Sequence, residues 1–190
     1  MTIISIVGHG NMGTAIGGVV TAGGNSVEYV GHDPATPVNG EIVVLAVPYP
    51  AVADVLANHG SKFAGKVVVD LTNPVDFQTF DSLVVPADGS AAAVIAAQLP
   101  QSRVLKAFNT TFAATLASGT VGGLQTTVLI AGDDADAKAR LAEVITAGGL
   151  AAIDAGSLKR ARELEAIGFL QISLAVAGKV NWTGGFAVAS

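Results

Sequence analysis

The residues Gly8-His9-Gly10-Asn11-Met12-Gly13 carry the most specific chemistry in the chain. Their GxGxxG spacing is what a strand-to-helix turn needs in order to hold a pyrophosphate. The first glycine makes the tight turn, the second lets the backbone approach the phosphates, and the third lets the helix lie close to the strand. The unpaired amides and positive dipole end of the helix N-terminus then face the anion. Among 23 glycines such spacing is weak evidence alone. Its setting strengthens it, because the apolar run Ile3-Ile4-Ser5-Ile6-Val7 leads in and an Ala/Val-rich helical stretch leads out. A competing P-loop spacing, Gly60-Ser61-Lys62-Phe63-Ala64-Gly65-Lys66, is set aside. Val67 stands where a hydroxyl must reach magnesium, and the segment leads into a strand rather than out of one. Asp133-Asp134-Ala135-Asp136 lacks further ligands at calcium-loop spacing and reads as a helix cap, so no metal site is expected.

The elements that must position this cradle are short β-branched runs alternating with Ala-rich stretches. Residues 3–7, 27–30, 42–47, 67–70, 104–108, 127–131 and 151–154 read as buried strands, and 12–22, 51–59, 90–99, 135–147 and 159–179 as helices. This alternation predicts an α/β, doubly wound, mostly parallel Rossmann sheet, closed by a C-terminal helix. Between the second and third strands only residues 32–40 intervene, and Pro34 and Pro37 forbid a helix there. The usual third strand and its helix are therefore expected to be missing, with the connection passing over the sheet end to the other side of the first strand.

Composition narrows the function classes. With 51% hydrophobic and only 13% charged residues, a core spanning residues 1–190 as a single domain is expected, along with apolar surface for a homodimer through the C-terminal helix. A net charge of −5 with scattered basic residues argues against nucleic acid. The absence of cysteine removes thiol redox chemistry and thiolate-bound zinc. No apolar run reaches a membrane span, and no basic leader precedes the first strand, so a cytoplasmic protein is expected.

Five segments together extend this reading: the cradle, Leu45-Ala46-Val47-Pro48-Tyr49, Asp70-Leu71-Thr72-Asn73-Pro74, Lys106-Ala107-Phe108-Asn109-Thr110 and Asp154-Ala155-Gly156-Ser157-Leu158. In these the chain resembles the deazaflavin-dependent NADP reductases from Thr2 to about Ala175. The resemblance implies hydride transfer between NADP(H) and a deazaflavin- or flavin-like second carrier. It implies cofactor contacts at Gly8, Gly10, Asn11, Met12 and Gly13, at Ala46, Val47 and Pro48 beside the ribose and nicotinamide, and at Asn73, Pro74 and Asn109 nearer the redox centre. The chain departs from the family where the 2′-phosphate is read, with Gly31-His32-Asp33 in place of a Gly-Ser-Arg pattern. Asp33 lies about 20 residues past Gly13, the distance at which an acidic residue grips the ribose of NAD. It also reads as the start of a turn before Pro34. His9 and His32, by contrast, could both donate to a 2′-phosphate. NADP is favoured, with NAD as the alternative.

Hydride exchange between two rings needs placement and exclusion of water, so no catalytic side chain is required. His59 is expected to end a helix remote from the cradle. Tyr49 could stack on the nicotinamide or donate a proton to a carbonyl. A small carbonyl or imine reductase is disfavoured, since neither Tyr29 nor Tyr49 has a lysine four residues on. A non-catalytic dinucleotide sensor or regulatory subunit is the remaining alternative to a small-molecule redox acceptor.

Overall fold

Seven strands build one sheet whose central runs, residues 4–7, 42–45 and 67–69, are buried and, Ser5 apart, apolar, as a sheet covered by helices on each side requires, while the edge strands are partly open. A computed structural model describes residues 1–189. In chain order the elements are β1 (Ile3–Val7), α1 (Asn11–Ala22), β2 (Ser26–Val30), β3 (Ile42–Leu45), α2 (Val52–His59), β4 (Val67–Asp70), α3 (Ala91–Gln98) and β5 (Arg103–Lys106). There follow α4 (Ala113–Ser118), β6 (Thr120–Val121), β7 (Leu124–Gln125), β8 (Thr127–Gly132), α5 (Ala135–Ala147), β9 (Ala151–Gly156) and α6 (Ala161–Val176). The sheet order is β2-β1-β3-β4-β5-β8-β9, and β6 and β7 form a separate hairpin.

The Rossmann reading holds, including its missing piece. Ile4 pairs with Val27 of β2 on one side and Ile42 of β3 on the other, so residues 31–40 do carry the chain across β1 without a helix. One neighbouring pair, β5 and β8, is antiparallel. Strand period 2 divides the core. Ile42 and Val44 pack with Ile16, Val19 and Leu141 beneath α1 and α5, while Val43 and Leu45 pack with Val55, Phe63 and Ile95 beneath α2 and α3. Each such fully buried side chain contributes roughly 1.5–3 kcal/mol.

Elsewhere the structure adds to the sequence reading. Asp134 is the cap of α5, its carboxylate accepting from Ala137 N at 2.7 Å. The expected helix over 159–179 begins with a 3-10 turn, Leu158–Arg160, and ends at Val176, two residues before Gly178 with φ +68°. The short α4 escapes sequence reading because it has no capping side chain and only one and a half turns. Among the described residues no helix is long and apolar enough to cross a membrane.

Candidate dinucleotide and acceptor site

The glycine loop sits between β1 and α1, at the point where the chain leaves β1 for opposite neighbours, which is where ligands lie in open α/β sheets. Gly8 has φ +102°, and a Cβ there would collide with the carbonyl of Ala46. A Cβ at Gly13 would strike the carbonyl of Gly8. Gly10 differs, because a side chain there would meet nothing within 4 Å and would project into the space before the helix. Gly8 and Gly13 thus serve the packing of loop and helix, and Gly10 keeps open space open.

A cleft of about 540 Å³ begins at Gly10, Asn11 and Met12 and runs past Ala46, Val47, Pro48 and Tyr49 to Leu71, Thr72 and Asn73, Phe108 and Asn109. It ends among Phe77, Phe112, Ile172 and Trp182. No charged side chain lines it. Phe108 adopts φ +65°, a conformation rare for a bulky residue, and turns the chain sharply at the end of β5. Asn109 then reaches back, donating through Nδ2 to Asn73 Oδ1 at 2.9 Å and to the Leu164 carbonyl at 2.8 Å. Asn73 Nδ2 returns a bond to the Asn109 carbonyl at 2.9 Å. Helix α6 reaches this pair only because Gly168 has no side chain, since a Cβ there would lie 2.8 Å from the Asn109 carbonyl. Asn109 Oδ1 and Thr72 Oγ1 are buried with no hydrogen-bond partner among the described residues. Gly8 and Gly13, where a Cβ would collide with backbone, the open space at Gly10 and the uncharged, largely apolar cleft that runs from it fit a dinucleotide with a flat ring.

Behind this wall lies a buried ionic cluster. Lys106 Nζ reaches Asp70 Oδ2 at 2.7 Å, Glu165 Oε1 at 2.8 Å and the Thr72 carbonyl at 2.6 Å, with all three side chains at 0–1% exposure. Glu165 Oε2 also accepts from Ala91 N at 2.9 Å at the start of α3, tying α6, α3 and the ends of β4 and β5 together. Burial pushes the Glu165 carboxyl above its ordinary range against the opposing pull of Lys106, as expected where one ammonium faces two carboxylates. Burial, then the charges of Glu165 and Asp70, push the Tyr49 phenol up, so at neutral pH Tyr49 is an uncharged hydroxyl and not a base.

The other end of the glycine loop is different. His9 packs on Tyr29 with ring centroids 4.2 Å apart, and His32 and Asp33 are exposed. Asp33 Oδ1 accepts from Ala35 N at 2.8 Å and its carbonyl from Thr36 N at 2.9 Å, the turn geometry expected before Pro34. His59 ends α2, as expected, and lies against the end of β2. It is 1% exposed and donates through Nε2 to the Gly31 carbonyl at 3.1 Å, because α2 packs under the end of β2. Lys62 holds the carbonyls of Pro34 and Thr36. Glu28 accepts from Ser5 Oγ and from Asn39 N at 2.6 Å, clasping the returning loop. Although burial raises it, these hydrogen bonds hold the Glu28 carboxyl below its ordinary range.

The cleft therefore gathers Gly10, Asn11, Met12, Ala46, Val47, Pro48, Tyr49, Asn73 and Asn109. Gly8 in the loop and Gly13 in the first turn of α1 lie outside the lining. Pro74 is buried outside the lining, its carbonyl accepting from Val84 N at 2.7 Å, and His9, His32 and Asp33 lie apart from the lining. Sequence reasoning missed Thr72, Phe77, Phe112, Ile172 and Trp182, and gave no role to Asp70, Lys106, Glu165 or Lys62. The signal for the cluster was present, since VVVD and RVLK are buried strands that each end on a charge.

No protein-family model matches the chain. It is 34% identical over 160 residues to an F420-dependent NADP reductase of Methanothermobacter thermautotrophicus, covering 80% of this chain and 68% of that protein. A reductase of the same name from Methanocaldococcus jannaschii is 30% identical over 149 residues, covering 76% of this chain and 66% of the relative. The chain thus spans about two thirds of the length of these curated reductases. A crystal structure described as a putative F420-dependent NADP reductase from Arthrobacter sp. FB24 superposes over 100% of both chains with TM-score 0.86 at 25% identity.

Proposed function

The chain belongs to the F420-dependent NADP reductase family, and from that premise we propose that it transfers hydride between NADP(H) and a deazaflavin- or flavin-like carrier. The observation that carries this reading is one uncharged cleft with a glycine cradle at one end and an aromatic pocket at the other. The dinucleotide, when bound, supplies the hydride chemistry. The loop from Gly8 to Gly13 would hold its pyrophosphate, Ala46, Val47 and Pro48 its ribose and ring, with Asn73 and Asn109 nearer the redox centre. The apolar walls exclude water, and the Asn73–Asn109 pair fixes the wall from behind. No side chain needs to move a proton, which accords with a lining free of acids and bases other than the raised Tyr49 phenol.

His9 and His32 support NADP over NAD, as the polar side chains at the loop edge that can donate to a 2′-phosphate. The exposed Ile167, Leu170 and Val176 of α6 support a homodimer, and a cytoplasmic setting belongs to the same proposal. Paired titrations with NADPH and NADH, followed by F420 as acceptor, test the reading. NADPH should bind about tenfold tighter, consistent with added charge-assisted bonds, and should reduce F420. A protein that binds neither nucleotide, or binds NADPH without ever reducing a deazaflavin or flavin, would overturn it.

A further inference from the structure

Beyond Val176, residues 177–186 stay on the molecule. Lys179 N bonds the Leu174 carbonyl at 2.8 Å, and Gly184 N bonds the Asn181 carbonyl at 2.9 Å, so residues 177–186 fold into a strap. Gln171 fastens it. This side chain, 1% exposed, accepts from Phe186 N at 2.7 Å and donates to the Thr110 carbonyl at 3.3 Å, joining the strap to the loop after β5. The strap carries Trp182, whose ring packs on the buried Phe112 at a centroid distance of 4.9 Å and an interplanar angle of 51°.

Trp182 is nevertheless 52% exposed while it lines the cleft. Leaving half of so large an apolar body in water forfeits burial that the core could have supplied, and an exposed aromatic face on a fixed mount suits a flat partner. Every neighbour lining the cleft is uncharged. The exposed indole and the aromatic side chains around it therefore suit a flat conjugated ring.

We propose that Trp182 is the stacking wall of the acceptor subsite, its free indole face lying against the tricyclic ring of the second carrier while Phe112 holds the indole from behind. This rests on the hydride-transfer reading above. Trp182 then sets affinity for the carrier and leaves affinity for the dinucleotide to the glycine loop.

The chain has a single tryptophan, so its emission reports on this position alone. With NADP+ present, titration with 5-deazariboflavin should quench that emission saturably. Trp182→Ala should raise KM for the deazaflavin about tenfold, the scale of losing one aromatic stack, and leave the NADPH dissociation constant within about twofold. Trp182→Phe should restore most of the loss. Unmoved emission with a carrier that the parent reduces, or a folded Trp182→Ala with unchanged KM, overturns the stacking wall and leaves the reductase reading intact. If Trp182→Ala fails to fold, the emission titration and Trp182→Phe decide. A parent that binds NADPH yet reduces no deazaflavin overturns the reductase reading and the wall with it.

Discussion

Two regions flank the glycine loop, and they are held in opposite ways. At the loop edge, residues 31–40 are fixed mainly by side chains that grip backbone: Glu28 takes the amides of Asn39 and Gly40, His59 the Gly31 carbonyl and Lys62 the carbonyls of Pro34 and Thr36. At the cleft end, side chains grip each other in a dry cluster of Asp70, Lys106 and Glu165. Backbone groups are present whatever the residue, so the loop edge tolerates change in its exposed side chains. The cleft end does not, because removing one charge strands the others in a low dielectric.

Lys106→Met should therefore have the largest effect, destabilising by about 3–5 kcal/mol in denaturant unfolding, the range for breaking a buried ionic group by removing one partner. Lys62→Met, which leaves only exposed or half-buried carbonyls that water can reach, should cost about 1 kcal/mol or less. Equal losses would break the contrast. Next comes Gly10→Val, which lies in neither region. Its side chain enters open space, so folding should be nearly unchanged, while dinucleotide affinity should fall by about a hundredfold or more, as calorimetric titration would show. Binding within a few-fold of the parent would refute the role of Gly10 in admitting the pyrophosphate.

The same contrast explains what the sequence disclosed. The strands, the missing third strand and the turn at Asp33-Pro34 were legible because each rests on local rules of period, proline and Asx geometry. Glu165 was not, because its partners Ala91 and Lys106 lie far away along the chain and only the sheet order brings them together. The His59 contact was hidden for the same reason. Its position at the end of α2 is visible, but the packing that delivers its Nε2 to Gly31 is not. Trp182 sits in a Gly- and Ala-rich stretch beyond the last helix, where no periodic pattern marks it for the cleft.

The two glutamates sharpen the comparison with pH. Glu28 has its carboxyl held low in the folded protein, so its contribution is present above about pH 4.3, where a free glutamate titrates, and is lost as pH falls through its folded value. Parent should exceed Glu28→Gln by about 1 kcal/mol at neutral pH, given partial exposure, with the gap closing in acid. Glu165 has its carboxyl raised, so its contribution is fully present below the free value and is lost as pH rises through the folded one. The gap between parent and Glu165→Gln should therefore widen in acid. Denaturant midpoints across pH 3–8 read both slopes, and slopes of one sign would dissolve the distinction between the regions.

The smallest effect tests the loop edge at its most ambiguous residue. Asp33 already spends Oδ1 on Ala35 N within its own turn, and its exposed carboxylate stands beside His32, where a 2′-phosphate would bring like charge. Asp33→Ala removes that repulsion. NADPH should bind about twofold tighter, as expected for one solvent-screened charge, with NADH almost unchanged. The lost turn bond should cost stability by about 0.5–1 kcal/mol. The gain should shrink with added salt, since exposed charges are screened over about a Debye length. If instead the parent prefers NADH and Asp33→Ala abolishes that preference, the carboxylate grips the ribose hydroxyls with its other oxygen. The loop edge would then be a specific side-chain contact like the cleft end, and the division between backbone-held and side-chain-held regions would fail at its weakest point.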